Sequence, residues 1–157
     1  MQDLLIYVVF FHILGAIVWI GGMIAVRLVV HPALQNIADD QTRIARTLEV
    51  TGRLFMVVLP FIIILLATGI YMAYKVFGFD GHTKLSTIVH VKEAIWLIMT
   101  INYSLMVWLR FKAQDAFLKS NLLMAKKFMA PVAKFMLPLN IFLGMVAIFF
   151  GLVLRGL

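Results

Sequence analysis

Four long apolar runs constrain the fold of this chain more than any other feature. They extend from Leu4 to Val30, Leu54 to Tyr74, Thr87 to Leu109 and Phe135 to Leu154. A helix of roughly 20 apolar residues spans the hydrocarbon core of a bilayer. The runs do not alternate with a period of two, which favours helices over a β-barrel. The sequence therefore predicts an all-α membrane protein, a four-transmembrane-helix bundle forming a single domain over residues 1–157, with cytoplasmic loops at 31–53 and 110–134.

Composition supports this class and excludes others. The chain is 64% hydrophobic and 13% charged, whereas soluble domains are close to half apolar and a quarter charged. The lipid bilayer is therefore its expected partner. The net charge of +7 does not indicate nucleic-acid binding, because the basic residues lie in short segments between the apolar runs. The absence of cysteine excludes disulfides, thiolate metal sites and cysteine nucleophiles.

The distribution of basic residues predicts the orientation in the membrane. Ten of the 14 Lys and Arg residues lie in the two loops or directly beside them. The positive-inside rule places such loops in the cytoplasm, so both termini are expected on the outer, periplasmic side. The predicted location is the bacterial cytoplasmic (inner) membrane.

The first run carries the strongest candidate site. At helical spacing, His12, Gly15, Trp19 and Gly22 share one face. An ionisable group within the membrane is costly and usually faces the bundle interior with a partner, which makes His12 a candidate functional residue. Gly15 and Gly22 are expected to leave room beside it for a flat macrocycle, and Trp19 to form a wall.

The third run opens with a second candidate group, His90-Val91-Lys92. Residues two apart point in directions about 200° different on a helix, so His90 and Lys92 are not expected to face one pocket. The long stem of Lys92 favours an outward position, which turns His90 inward. Facing imidazoles within a helical bundle suit the axial positions of haem iron. His12 and His90 are therefore predicted to ligate haem b, and Lys75, Lys84 or Lys92 is a candidate partner for a propionate.

Two alternatives remain open from the residues alone. His82 and His90 with Met72 offer the imidazole and thioether ligands that copper accepts, so the chain could handle or take up copper instead. In the other alternative, His12 only hydrogen-bonds a neighbouring group and the protein is a cofactor-free accessory subunit. No nucleophile-and-base pair, phosphate loop or paired carboxylate stands out.

The string from His12 to Gly22, followed by Arg27 and His31-Pro32, resembles the first helix of the copper resistance protein D (CopD) family and of the HemJ-type protoporphyrinogen oxidases. A later His-x-Lys of that group is matched by His90-Val91-Lys92. The resemblance implies that His12 binds haem and that His90 or Lys92 is the second functional group. It also implies a membrane oxidoreductase that acts on a quinone or porphyrin with a redox partner protein, and it is compatible with a homo-oligomer. The Trp-x-Lys and Tyr-Leu-Pro-Arg stretches of HemJ proteins are absent, so the resemblance supports haem binding more than protoporphyrinogen oxidation.

Overall fold

A computed structural model describes residues 2–77 and 84–154, with side chains over 4–75 and 87–154. These residues form four long helical rods. The first, α1, covers residues 2–35 and contains π-helical turns at Ile17–Gly21 and Val26–Val30. The second and third, α2 and α3, cover Asp40–Phe77 and Lys84–Leu118. The fourth, α4, covers residues 122–154 and contains a π-helical turn at Val132–Met136.

The rods confirm the predicted all-α class for the described part of the chain. Each contains a segment long and apolar enough to cross a membrane, and these segments are Leu4–Gln35, Asp40–Lys75, Thr87–Leu118 and Leu122–Leu154. At 1.5 Å per residue, helices of this length reach about 50 Å, well beyond the roughly 30 Å hydrocarbon core. The protein is therefore a multi-pass membrane protein whose helices continue past the apolar layer.

The segments predicted as loops, 31–53 and 110–134, are mostly helical. The connections shorten to residues 36–39 and 119–121. The first ends on Asp39, whose carboxylate accepts a hydrogen bond from the Thr42 backbone N–H at 2.8 Å and caps α2. Hydrogen bonds from the side chain and the backbone of Thr42 hold the pKa of the Asp39 carboxyl below its ordinary value of 3.8. The second connection contains Ser120 at φ 58°, and Asn121 caps α4 through the Met124 N–H at 3.0 Å.

The helical extensions form because they have a core of their own. Ile44 and Leu48 are buried on the first turns of α2, at the spacing expected of a helix face that packs on its neighbours. Ala113 and Ala125 are fully buried where α3 meets α4. Both small and large apolar side chains therefore hold the extensions together.

The four rods form a closed bundle. Helix α1 packs against α2 and α4, and α3 packs against the same two helices on the opposite side. Many large apolar side chains point away from the bundle, among them Met56 at 71% exposure and Phe149 at 62%. Such a surface fits a surrounding of lipid and not of water.

Polar side chains join α3 to α4 in the middle of the bundle. Asn102 Nδ2 donates to Asn140 Oδ1 at 2.7 Å and to the Met136 carbonyl at 2.8 Å. Asn140 in turn donates to the Met99 carbonyl at 3.1 Å and is fully buried. Hydrogen bonds of this kind stabilise helix contacts in membranes. One turn further along α4, Gly144 lies against Ile20 of α1.

Candidate functional site

The candidate site lies at the end of the bundle where α1 begins and α4 ends. All four helices contribute to it. His12 on α1 turns toward α2, where its ring lies over Gly69 and its Nδ1 lies 2.8 Å from Thr68 Oγ1. Lys92 on α3 points toward Gly151 on α4. An imidazole, a hydroxyl and an ammonium group therefore share one end of an apolar bundle.

The hydrogen bonds of Thr68 determine which nitrogen of His12 carries a proton. Thr68 Oγ1 lies 2.6 Å from the Ile64 carbonyl oxygen, a distance at which the hydroxyl must donate its single hydrogen to that carbonyl. The contact with His12 must then be donated by His12 Nδ1–H. The imidazole is the Nδ1–H tautomer, and its Nε2 is left with a lone pair.

A histidine held in this way has the form of a metal ligand. Histidines that bind metals usually donate their second ring N–H to an oxygen, which fixes the tautomer and the orientation of the ring. In this chain the oxygen belongs to Thr68, on the neighbouring helix. The donor chemistry at His12 therefore fits iron ligation through Nε2.

Lys92 lies inside the bundle, contrary to expectation. Its Nζ is 3.3 Å from the position that a Cβ on Gly151 would occupy, and its charge acts on the His12 ring. The absence of a side chain at Gly151 gives the lysine head its place between α3 and α4. Lys92 therefore supplies a positive charge at the same end of the bundle as His12.

His90 lies on the outside of the bundle, and the predicted His12–His90 pairing is not found. The His90 side chain is 71% exposed, and its Nδ1 lies 3.1 Å from a carboxylate oxygen of Glu93. As predicted, only one of the two side chains faces inward. That side chain is Lys92, however, and not His90. The cause is the rotation of α3, which presents Lys92, Ile95 and Met99 to the neighbouring helices.

The face of α1 that carries Gly15 and Gly22 does not leave room for a macrocycle. This corrects the expectation that the two glycines provide space beside His12. A Cβ on Gly15 would lie 2.9 Å from Leu65 Cγ, and one on Gly22 would lie 3.0 Å from Leu54 Cδ1. Helix α2 therefore packs closely against both glycines and fills the space beside them. Trp19 is 1% exposed and packs edge-to-face on Tyr103 with ring centroids 6.4 Å apart, so it is a core residue. Only the part of the bundle between Gly15 and the start of α1 is therefore left for a cofactor.

The alternative copper set is not assembled by the described residues. His82 lies outside them, and His90 faces away from the bundle. Within residues 2–77 and 84–154, no three His, Asp or Glu side chains converge. At this end of the bundle, the described side chains offer one partly buried imidazole, that of His12, and not a cluster.

The partnership of Thr68 with His12 was missed from the sequence, although a signal for it exists. His12 lies about 12 Å from the N-terminal end of the first apolar run, and Thr68 lies about 9 Å from the C-terminal end of the second, at 1.5 Å per residue. A hydroxyl at the depth of a buried histidine on the next helix is a natural hydrogen-bond partner. Comparing the depth of polar residues across antiparallel runs would have suggested the pair.

Fold and site together define an all-helical, multi-pass membrane bundle with an oriented histidine near one end. Comparisons with protein-family models, with curated proteins and with solved structures found no match.

Proposed function

We propose that this chain is a bacterial inner-membrane protein that binds haem b at the outer end of its bundle and takes part in electron transfer with a quinone or a porphyrin-like substrate. The observation that carries the proposal is the His12–Thr68 hydrogen bond, because it leaves Nε2 as a fixed, unprotonated ligand. The resemblance of the first helix to the CopD and HemJ-type proteins supports the same reading. The excess of Lys and Arg at the opposite end supports an outer, periplasmic position for the site.

Each residue of the site has a distinct role in this proposal. His12 would hold the iron, and Thr68 would orient the imidazole and keep its proton on Nδ1. The ammonium group of Lys92 would attract a haem propionate through its positive charge. When bound, a haem supplies one-electron redox chemistry. The close contact of Gly15 with Leu65 closes the bundle below the site.

A groove on the outside of the bundle favours a lipid-soluble partner. It lies between α1 and α2 and is lined by Leu4, Tyr7, Phe11, Ile64 and Thr68, among others. The groove therefore runs along the same threonine that orients His12. Its apolar walls suit a molecule arriving from the lipid phase, such as a quinone or a porphyrin, better than a water-soluble carrier.

Purification from a bacterium that makes haem tests the proposal. We expect stoichiometric haem in the wild-type protein, strong depletion in His12→Ala, and retention in His31→Ala, a matched change to a histidine at the other end of α1. Haem is measured as its pyridine complex and copper by mass spectrometry in the same samples. Wild-type protein that contains neither would contradict the proposal, and copper without haem would favour the copper-handling alternative.

A further inference from the structure

A second cavity lies at the opposite end of the bundle, where the helices extend past the apolar layer. It is enclosed by the end of α1 and the first turns of α2 and α4 and has a volume of about 260 Å³. Its floor is apolar and includes Val26, Ile44, Met129 and Leu137. Drug-sized ligands occupy pockets upward of about 300 Å³, so this cavity suits a compact group.

The mouth of the cavity is rich in hydrogen-bond donors. His31 and Gln35 lie one turn apart on α1, and Arg43 and Lys126 line the cavity from α2 and α4. Among the described residues, neither the His31 nor the Gln35 side chain has a hydrogen-bond partner. Two polar side chains at the mouth are thus available to a ligand.

The charges around the mouth favour an anion. Arg43 and Lys126 both donate to the carboxylate of Asp40, which joins α2 to α4. Arg27 adds a third positive charge close enough to act on His31. Two carboxylates, Asp39 and Asp40, therefore lie near three cations. The excess positive charge on an apolar floor suits a ligand with an anionic head.

Two of the π-helical turns form walls of the cavity. Val26 belongs to the turn in α1, while Val132 and Ala133 belong to the turn in α4. Inserted π turns are rare and often occur at functional sites. Their presence on facing walls indicates that this end of the bundle is shaped around a space.

We propose that this cavity is a phosphate-binding site, with the headgroup of an anionic phospholipid or a soluble phosphate as the source of the anion. Arg43, Lys126 and His31 supply the donors. The positive-inside orientation brings this end to the cytoplasmic headgroup layer, where anionic lipids are attracted by Lys and Arg side chains. The site is independent of the proposed haem site, because it lies at the other end of the bundle and shares no residue with it.

The test measures binding to the full-length protein in detergent by thermophoresis. The probes are short-chain phosphatidylglycerol, short-chain phosphatidylcholine and inorganic phosphate at constant ionic strength. We expect saturable binding of phosphatidylglycerol and none of phosphatidylcholine. Failure of inorganic phosphate to bind would identify the lipid as the source, whereas binding with the same response to the variants below would identify a soluble phosphate. Equal binding of the two lipids would overturn the proposal.

Paired variants locate the site. Lys126→Gln should weaken binding about fivefold, as expected for one basic group near a phosphate, whereas Lys127→Gln, at the next exposed lysine, should leave it unchanged. Asp40→Asn should strengthen binding by a similar factor, because it removes the internal competitor for Arg43 and Lys126. Asp115→Asn makes the same charge change elsewhere and should have no effect. Equal effects within either pair would show non-specific charge attraction and overturn the site.

Discussion

The residue that decides the proposed chemistry is Thr68 as much as His12. A lone histidine in an apolar helix has two tautomers and a free ring orientation. The bond from Nδ1–H to Thr68 Oγ1, together with the donation of Thr68 to Ile64, selects one tautomer. The ligand atom is thereby fixed by a hydroxyl one helix away.

Replacing that hydroxyl should weaken haem binding without removing the ligand. In Thr68→Val the His12 Nδ1–H loses its acceptor, and the loss of such outer-shell partners typically lowers metal affinity about 10- to 100-fold. Thr68→Ser should restore most of the affinity because it keeps the oxygen. Haem titration of the purified apoprotein measures the effect.

Thr100→Val is the matched control for this prediction. Thr100 also donates to the carbonyl four residues earlier, at 2.8 Å, but has no histidine partner. Its replacement should leave haem affinity unchanged. An equal loss in both valine variants would show that Thr68 acts only through its helix.

Sequence reasoning found His12 but placed its partner wrongly, and the reason is geometric. The spacing of His90 and Lys92 fixes the angle between them, about 200°, but not the rotation of α3 about its axis. That rotation is set by packing of Ile95, Met99 and Tyr103 in the core, which depends on the other three helices. The snorkelling argument for Lys92 failed because Gly151 gives its head a place inside.

At the scale of the elements, close approach of the helices depends on a few small residues. A Cβ on Gly144 would lie 2.6 Å from Ile20 Cγ1, whereas one on Gly21 would meet nothing within 4 Å. Gly144→Ala should therefore destabilise the bundle by about 1–3 kcal/mol through overpacking. Gly21→Ala should stabilise it by about 0.5–1 kcal/mol, because alanine favours a helical backbone over glycine.

Unfolding in mixed micelles of increasing denaturing detergent measures both glycine variants. The two substitutions are chemically identical and both positions are helical, so they differ only in the space around the added methyl group. Equal changes in the free energy of unfolding would show that the α1–α4 contact at Gly144 is not close in the native protein.

The cap of α2 should make its first turn sensitive to acid. The pKa of Asp39 is lowered in the folded protein, mainly by the hydrogen bond from Thr42. A lowered pKa means that the stabilisation is present above the ordinary value of 3.8 and is lost as the pH falls through the folded value. Exchange of the first-turn amides, taken relative to the rate of the same amides in an unstructured chain at each pH, should therefore accelerate below about pH 4.

Asp39→Asn separates this effect from general acid unfolding. Asparagine is also a good N-cap but does not titrate. The variant should retain slow exchange in the first turn of α2 at low pH better than the wild type. The same acceleration in both proteins would assign the acid sensitivity to another carboxylate.

At the scale of the whole molecule, the four spans could be predicted because hydrophobic length directly reports the crossing of a bilayer. The helical extensions were harder to predict, because residues 31–53 and 110–134 contain both charged and apolar side chains. Ile44 and Leu48 are buried only because α3 and α4 extend to the same height. Such mutual support between segments far apart in sequence is not visible in either segment alone.

The proposed orientation predicts which parts of the molecule face the cell interior. Because the chain has no cysteine, single reporters can be placed at exposed Ser120, between α3 and α4, and at exposed Thr87, near the start of α3. A membrane-impermeant maleimide added to intact cells should label Thr87→Cys and not Ser120→Cys. The reverse labelling would place the candidate site on the cytoplasmic side.

Ligation of haem by His12 is tested by the reduced-minus-oxidised optical spectrum of the purified protein. We expect Soret and α bands in the wild type and their loss in His12→Ala. The spectrum of His90→Ala should be unchanged, because His90 lies outside the bundle. Absence of the bands from the wild type, or bands that persist in His12→Ala, would contradict haem ligation by His12.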